Sequence, residues 1–93
     1  MKTLRGKGKL YDSRENYIDE ITYEIYHKPT NNSVGEEWRG EITPGKGIMP
    51  VGNFIIELDD GRKGACTISM NTYSSFGLVV DSFSIEGTGP LIN

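Results

Sequence analysis

The strongest structural signal in this chain is the turn sequence Asp59-Asp60-Gly61, which separates two apolar-rich segments, 54–58 and 62–68. Both aspartates suit the right-handed positions of a tight turn, and Gly61 can adopt the positive φ that a type I turn with a G1 bulge requires. A loop of these three residues places most large apolar side chains on one face, whereas a two-residue loop would divide them between both faces. The sequence therefore predicts an antiparallel β-hairpin with an apolar face made of Phe54, Ile56, Leu58, Cys66, Ile68 and Met70.

Composition agrees with a small all-β protein. The chain has 93 residues, 35% of them hydrophobic, with 12 glycines, which indicates one domain, 1–93, with short strands and many turns. The net charge of −3 provides no general attraction to nucleic acid or to anionic membranes. One cysteine cannot form an internal disulfide, and neither a signal peptide nor a membrane span is recognisable. We expect a cytoplasmic protein.

Apolar and polar residues alternate with a period of two along six segments, as in half-buried strands. The predicted strands are 3–11, 19–28, 35–42, 53–58, 62–70 and 79–86. In the last of these, Asp81 shares a face with Phe83. We expect a bulge at Ser82, or a position at the barrel rim, to turn the Asp81 carboxylate outwards. The alternative is a buried functional carboxylate.

The first two strands have one register that satisfies both faces. With Leu4 opposite Ile25, the inner face is apolar, and on the outer face Arg5 meets Glu24 while Lys9 meets Glu20. Each such pair contributes about 0.2–1 kcal/mol. The register also places Tyr23 opposite Gly6 and Ile21 opposite Gly8.

For the second and third strands, the same reasoning predicts Ile25 opposite Trp38. Tyr23 then lies opposite Gly40, Ile21 opposite Ile42, and Glu24 opposite Arg39. The Tyr23 ring would cover bare backbone at Gly6 and Gly40, an arrangement found where a sheet curls.

Glycines at 6, 8, 40 and 64 fall inside predicted strands, where they favour bending of the sheet. The predicted fold is a small antiparallel six-stranded meander barrel, in which strand six closes onto strand one. The alternative is a small open β-sandwich.

In the segment 40–47, the first seven residues match the first seven positions of a phosphate-binding loop. The sequence lacks the Ser or Thr that should follow Lys46, since Gly47 stands there, and Pro50 interrupts the expected helix. We interpret this segment as an ordinary loop.

Arg5, Lys7 and Lys9, together with Tyr11, resemble the basic strand of a nucleic-acid-binding barrel. The predicted register places Glu24 and Glu20 opposite two of these cations, so a solvated charged face is favoured and nucleic acid is disfavoured as a partner.

Catalytic and metal-binding arrangements find little support. His27 and Cys66 are the only residues of their types; Cys66 is predicted to face the core, and His27 is predicted to lie opposite Glu36. Residues Asp12, Glu15, Asp19 and Glu20 lack the spacing of a calcium loop and are interpreted as a solvated hairpin end. We expect no enzymatic activity, cofactor or obligate metal.

In a meander, alternate loops share an end of the barrel, so 12–18, 43–52 and 71–78 gather together. These are the long connections, and long loops on a rigid scaffold commonly bind ligands. The candidate binding residues are Arg14, Tyr17, Lys46, Met49, Tyr73 and Phe76. The same loops could instead plug the end of the barrel.

The sequence thus favours a non-enzymatic small β-barrel that serves as a protein-interaction or assembly module. The alternative is a barrel that binds a small ligand or nucleic acid through the same long loops.

Rejection of the phosphate loop at 40–47 gives a first testable prediction. A ligand that binds only the native state raises the melting temperature by mass action. Millimolar ATP with Mg²⁺ should therefore leave the melting temperature unchanged in a thermal-shift measurement. An increase of several degrees would contradict the interpretation of this segment.

Overall fold

The computed structural model describes residues 2–28, 37–46, 50–70 and 83–92. These residues contain no helix and form six strands: β1 (Lys2–Asp12), β2 (Tyr17–Lys28), β3 (Glu37–Pro44), β4 (Gly52–Glu57), β5 (Lys63–Met70) and β6 (Phe83–Gly87). The all-β prediction is confirmed. Residues 35–36, Asp81 and Ser82 lie outside the described residues. In the described part of the chain, no helix is long and apolar enough to cross a membrane.

The β4–β5 hairpin has the predicted loop and register. The Leu58 amide donates to the Arg62 carbonyl at 2.8 Å, the Gly61 amide donates to the Leu58 carbonyl at 3.0 Å, and Gly61 has a φ of 93°. Phe54 lies opposite Cys66. Four residues of the predicted apolar face are buried: Ile56, Leu58, Cys66 and Ile68. Phe54 is only partly buried, and Met70, at the end of β5, is 40% exposed.

The strands close into a barrel in the order β1-β2-β3-β6-β5-β4, with every neighbouring pair antiparallel. The six-stranded antiparallel barrel is therefore confirmed. The predicted closure of strand six onto strand one is wrong: β1 pairs with β4, and β6 pairs with β3 and β5. β1-β2-β3 and β6-β5-β4 each form a three-stranded meander, and β4 lies beside β1, which gives strands β1 to β4 the order of a Greek key.

The register of β1 and β2 is the predicted one. Leu4 lies opposite Ile25, Gly6 opposite Tyr23, and Arg5 opposite Glu24, with the Arg5 Nε and Glu24 Oε2 atoms 3.0 Å apart. Beyond this stretch, a bulge between Leu10 and Tyr11 shifts the pairing.

The predicted register of β2 and β3 is wrong by two residues. Ile25 lies opposite Gly40 rather than Trp38, and Glu24 lies opposite Glu41 rather than Arg39. A shift of two residues leaves each side chain on its predicted face, so alternation alone cannot detect it. The observed register requires glycine at position 40, since a Cβ there would collide with the backbone of Glu24 and Ile25.

Tyr23 is buried, at 3% exposure, and covers glycine backbone as predicted. The contact with Gly6 was predicted, whereas the contact with Gly8 was not. A Cβ at Gly6 would lie 2.9 Å from the Tyr23 hydroxyl, and one at Gly8 would lie 3.3 Å from its ring. The predicted contact of the ring with Gly40 is wrong because of the shifted β2–β3 register. The Tyr23 hydroxyl also donates to Asp59 Oδ1 at 3.0 Å.

Trp38 makes a second contact of this kind. A Cβ at Gly64 would lie 2.7 Å from its ring, and a Cβ at Gly87 would overlap the indole. The indole N–H donates to the Gly89 carbonyl at 2.7 Å, and Leu91 is buried beside it. The segment 88–92 thus covers this end of the barrel core.

The barrel is strongly sheared. A continuous row of paired residues crosses all six strands through Thr3, Tyr26, Arg39, Glu86, Thr67 and Asn53. On its other side β4 meets β1 near Asp12, which lies opposite Phe54. Followed once around the barrel, the row therefore starts at Thr3, near the beginning of β1, and comes back to β1 past Asp12, at its other end. This large offset means that the strands tilt steeply relative to the barrel axis.

The contact between Trp38 and Gly87 generates a prediction. Gly87→Ala should lower the free energy of unfolding by about 1–3 kcal/mol because the new methyl group displaces the indole. Denaturant unfolding followed by fluorescence of the single tryptophan measures both effects.

Gly89→Ala is the matched control. No atom lies within 4 Å of a Cβ there, and the carbonyl that accepts from Trp38 is retained. Equal stability of the two variants would show that the indole does not require bare backbone.

Candidate functional site

Three connections leave the barrel at one end, because neighbouring strands run in opposite directions. They link β1 to β2, β3 to β4 and β5 to β6, and we call this end the long-loop end. Of the candidate residues, Arg14, Tyr17 and Lys46 are described and exposed there. Met49, Tyr73 and Phe76 lie outside the described residues, so the site remains a prediction.

The β1–β2 turn is held by the Asp12 carboxylate. Its Oδ1 accepts from the Arg14 and Asn16 amides, each at 2.9 Å, and its Oδ2 accepts from the Asn16 side chain at 3.1 Å. The hydrogen bond from the Asn16 backbone is the main cause that lowers the pKa of Asp12. Glu15 has a φ of 65°. The turn therefore presents Arg14 from a locally ordered backbone.

Asp19 is buried at 1% exposure, so its assignment to a solvated hairpin end is wrong. It lies on the inner face, and its carboxylate accepts from the Glu20 amide at 2.8 Å and from the Lys46 amide at 2.9 Å. The Gly45 amide also donates to the Glu20 carbonyl at 2.9 Å. Asp19 therefore holds the chain that follows β3 in place. The sequence did not indicate this role, because Asp19 is followed by Glu20 and was grouped with the exposed acidic residues of the turn.

A row of apolar side chains crosses four strands on the outer face of the barrel, beginning at the long-loop end. Tyr17 pairs with Tyr11, Tyr11 with Ile55, and Ile55 with Ala65. We call these four residues the contact row. Tyr17 is 51% exposed, Ala65 is exposed, and the other two are partly exposed. Sequence reasoning found only Tyr17, because the row depends on the pairing of β1 with β4.

Polar interactions hold the contact row on one side. The Tyr11 hydroxyl donates to Glu57 Oε1 at 2.9 Å, which is the main cause that raises the pKa of Tyr11. The Lys63 ammonium lies 4.9 Å from the centre of the Tyr11 ring, and the Tyr17 ring meets it edge-on with centroids 6.0 Å apart. Tyr11 is thus held by charged and aromatic neighbours.

The opposite side of the contact row is also polar, where the Thr67 hydroxyl contacts Asn53 Oδ1 at 3.2 Å. The contact row is therefore an apolar centre between two polar margins. Two further exposed apolar residues lie at the long-loop end, Val51 at 58% and Met70 at 40% exposure.

The candidate catalytic residues His27 and Cys66 are both buried. His27 is buried opposite Lys2 and Trp38, so its predicted position opposite Glu36 is wrong. Burial raises the pKa of the Cys66 thiol to about 12. Among the described residues, no group of three or more His, Cys, Asp or Glu side chains is placed to hold a metal ion.

The predicted phosphate-loop segment and basic stripe also have structural positions. Residues 40–44 lie in β3, extended rather than curved around a ligand. Arg5 is paired with Glu24, and Lys9 lies opposite Glu20 and Glu57. Lys7 lies opposite Thr22.

Comparison of the chain with protein-family models, with curated proteins and with solved structures found no match.

Burial of Cys66 generates a prediction about thiol reactivity. Because the thiolate is the reactive form, the native protein should react with a disulfide reagent at pH 8 far more slowly than the protein in denaturant. Rapid stoichiometric reaction without denaturant would contradict the buried position.

Burial of Cys66 also makes the stability of the folded protein depend on pH at alkaline values. The pKa of this thiol is about 12 in the folded protein, against an ordinary value of 9.0. Its contribution to stability is therefore present below pH 9 and is lost as the pH rises towards 12.

Proposed function

We propose that this protein is a non-enzymatic β-barrel that acts through protein contacts, as an interaction or assembly module. The observation that carries the proposal is the contact row, Tyr11, Tyr17, Ile55 and Ala65, which exposes apolar groups across four strands. Tyrosine is enriched at protein interfaces, and an apolar centre with a polar margin is their usual composition.

Order within the contact row favours binding. Tyr11 is already held by Glu57, Lys63 and Tyr17, so little side-chain freedom would be lost when a partner covers it. The long-loop end adjoins Tyr17, and Arg14, Lys46, Met49, Tyr73 and Phe76 would extend the surface.

Nucleic acid is the less supported partner. A strand that tracks phosphates needs cations free to release counterions, whereas Arg5 is paired with Glu24 at 3.0 Å and Lys9 lies between two glutamates. Binding that falls steeply with added salt would favour this alternative over the proposed function.

A position-specific cross-link tests the proposal. A photoreactive amino acid at Ala65 should trap a partner protein in the source cells, and the same group at Glu41 should not. Both sites are exposed, but Glu41 lies in β3, which contributes no residue to the contact row. Absence of any adduct specific to position 65 would contradict the proposal.

The purified partner then allows a quantitative test. Tyr17→Ser and Ile55→Ser should each weaken binding by about tenfold or more, as for residues at the centre of an interface. Tyr26→Ser is the matched control, since Tyr26 is also exposed, at 38%, and lies outside the contact row. Equal losses for all three variants would contradict the assigned surface.

A further inference from the structure

Shear leaves part of β1 without a neighbour on one side. β1 pairs with β2 from Lys2 to Tyr11 but with β4 only from Lys9 to Asp12. Among the described residues, no strand pairs with the other edge of residues 2–8. This open edge is at the opposite end of β1 from Tyr11, so it is separate from the contact row.

The open edge is accessible. Lys2 and Thr3 are exposed, Leu4 is partly buried against the core, and the Arg5 side chain is 72% exposed. A cleft lined by Lys7, Gly8, Lys9, Glu20, Glu57, Leu58, Asp59 and Gly61 lies where β1 separates from the β4–β5 hairpin. The cleft therefore leaves open space beside the Lys7–Lys9 part of β1.

Charge restricts which strand could be added. Lys2, Arg5 and Lys7 are exposed along this edge. A second copy of β1 in antiparallel pairing would bring these cations against one another, and like charges across a strand pair are destabilising. Basic residues on an edge are a common protection against self-association, and the same residues attract an acidic strand.

Several carboxylates near this edge already have hydrogen-bond or ion-pair partners. Asp59 accepts from the Tyr23 hydroxyl at 3.0 Å, and Glu57 accepts from the Tyr11 hydroxyl at 2.9 Å. Glu24 is paired with Arg5. Lys2 lies opposite His27 and Lys7 opposite Thr22, so neither of these two lysines faces a carboxylate across β2.

We propose that the open edge of β1 accepts an extended acidic segment of a partner protein as an added strand. Main-chain hydrogen bonds to residues 2–8 would supply affinity, as in other cases of strand addition. Acidic side chains of the segment would face Arg5 and Lys7 on the outer side, and alternate apolar side chains would lie beside Leu4.

A synthetic peptide tests this directly. A seven-residue peptide that alternates glutamate and valine, titrated into the isotope-labelled protein, should shift the amide signals of residues 2–8 and slow their hydrogen exchange. The same peptide with lysine in place of glutamate should bind at least tenfold more weakly. N-methylation of alternate peptide bonds on the pairing edge should abolish binding, because it removes the main-chain donors.

Protein variants complete the test. Lys7→Gln should weaken binding of the glutamate peptide severalfold, whereas Arg39→Gln, which removes one exposed positive charge on β3, should leave it unchanged. Binding that survives N-methylation, or signals that shift at the contact row instead, would overturn the proposal. Dimerisation through β1, seen by sedimentation, would assign the edge to a second copy and would also overturn it.

Discussion

The structure depends on close contact between large aromatic rings and bare glycine backbone. A barrel of six strands has a narrow interior, and Tyr23 and Trp38 fill it only because side chains are missing beneath them. A Cβ at Gly87 would overlap the Trp38 indole, and one at Gly6 would lie 2.9 Å from the Tyr23 hydroxyl. The same glycines let the sheet bend, so packing and curvature have one cause.

Shear links this core to both proposed surfaces. Steep tilting of the strands brings Tyr11 of β1 beside Ile55 of β4, which assembles the contact row. It also carries residues 2–8 beyond the reach of β4, which exposes an edge. The two surfaces are therefore consequences of one geometric property of the barrel, although they differ in chemistry: the contact row is apolar and aromatic, and the edge is basic.

Local reasoning succeeded where one register satisfied several conditions at once. The β1–β2 pairing was predictable because a single alignment buries Leu4 with Ile25 and also pairs Arg5 with Glu24. The β2–β3 pairing failed because a shift of two residues preserves both faces, and the deciding contact, backbone against Gly40, involves no side chain whose polarity could signal it. Asp19 was misassigned for a similar reason, since its partners are backbone amides.

The sequence by itself determined the strand class, the β4–β5 hairpin and the inner and outer faces, because turn chemistry and alternation act over a few residues. Only the tertiary structure decided which strands became neighbours across the barrel. Alternation does not specify the partner of an edge, and β1 could have met β6 as readily as β4 on this criterion alone. The contact row and the open edge both follow from that choice, so neither was visible in the sequence. Tyr17 was the one member of the row among the candidate binding residues, because it falls in the predicted loop 12–18.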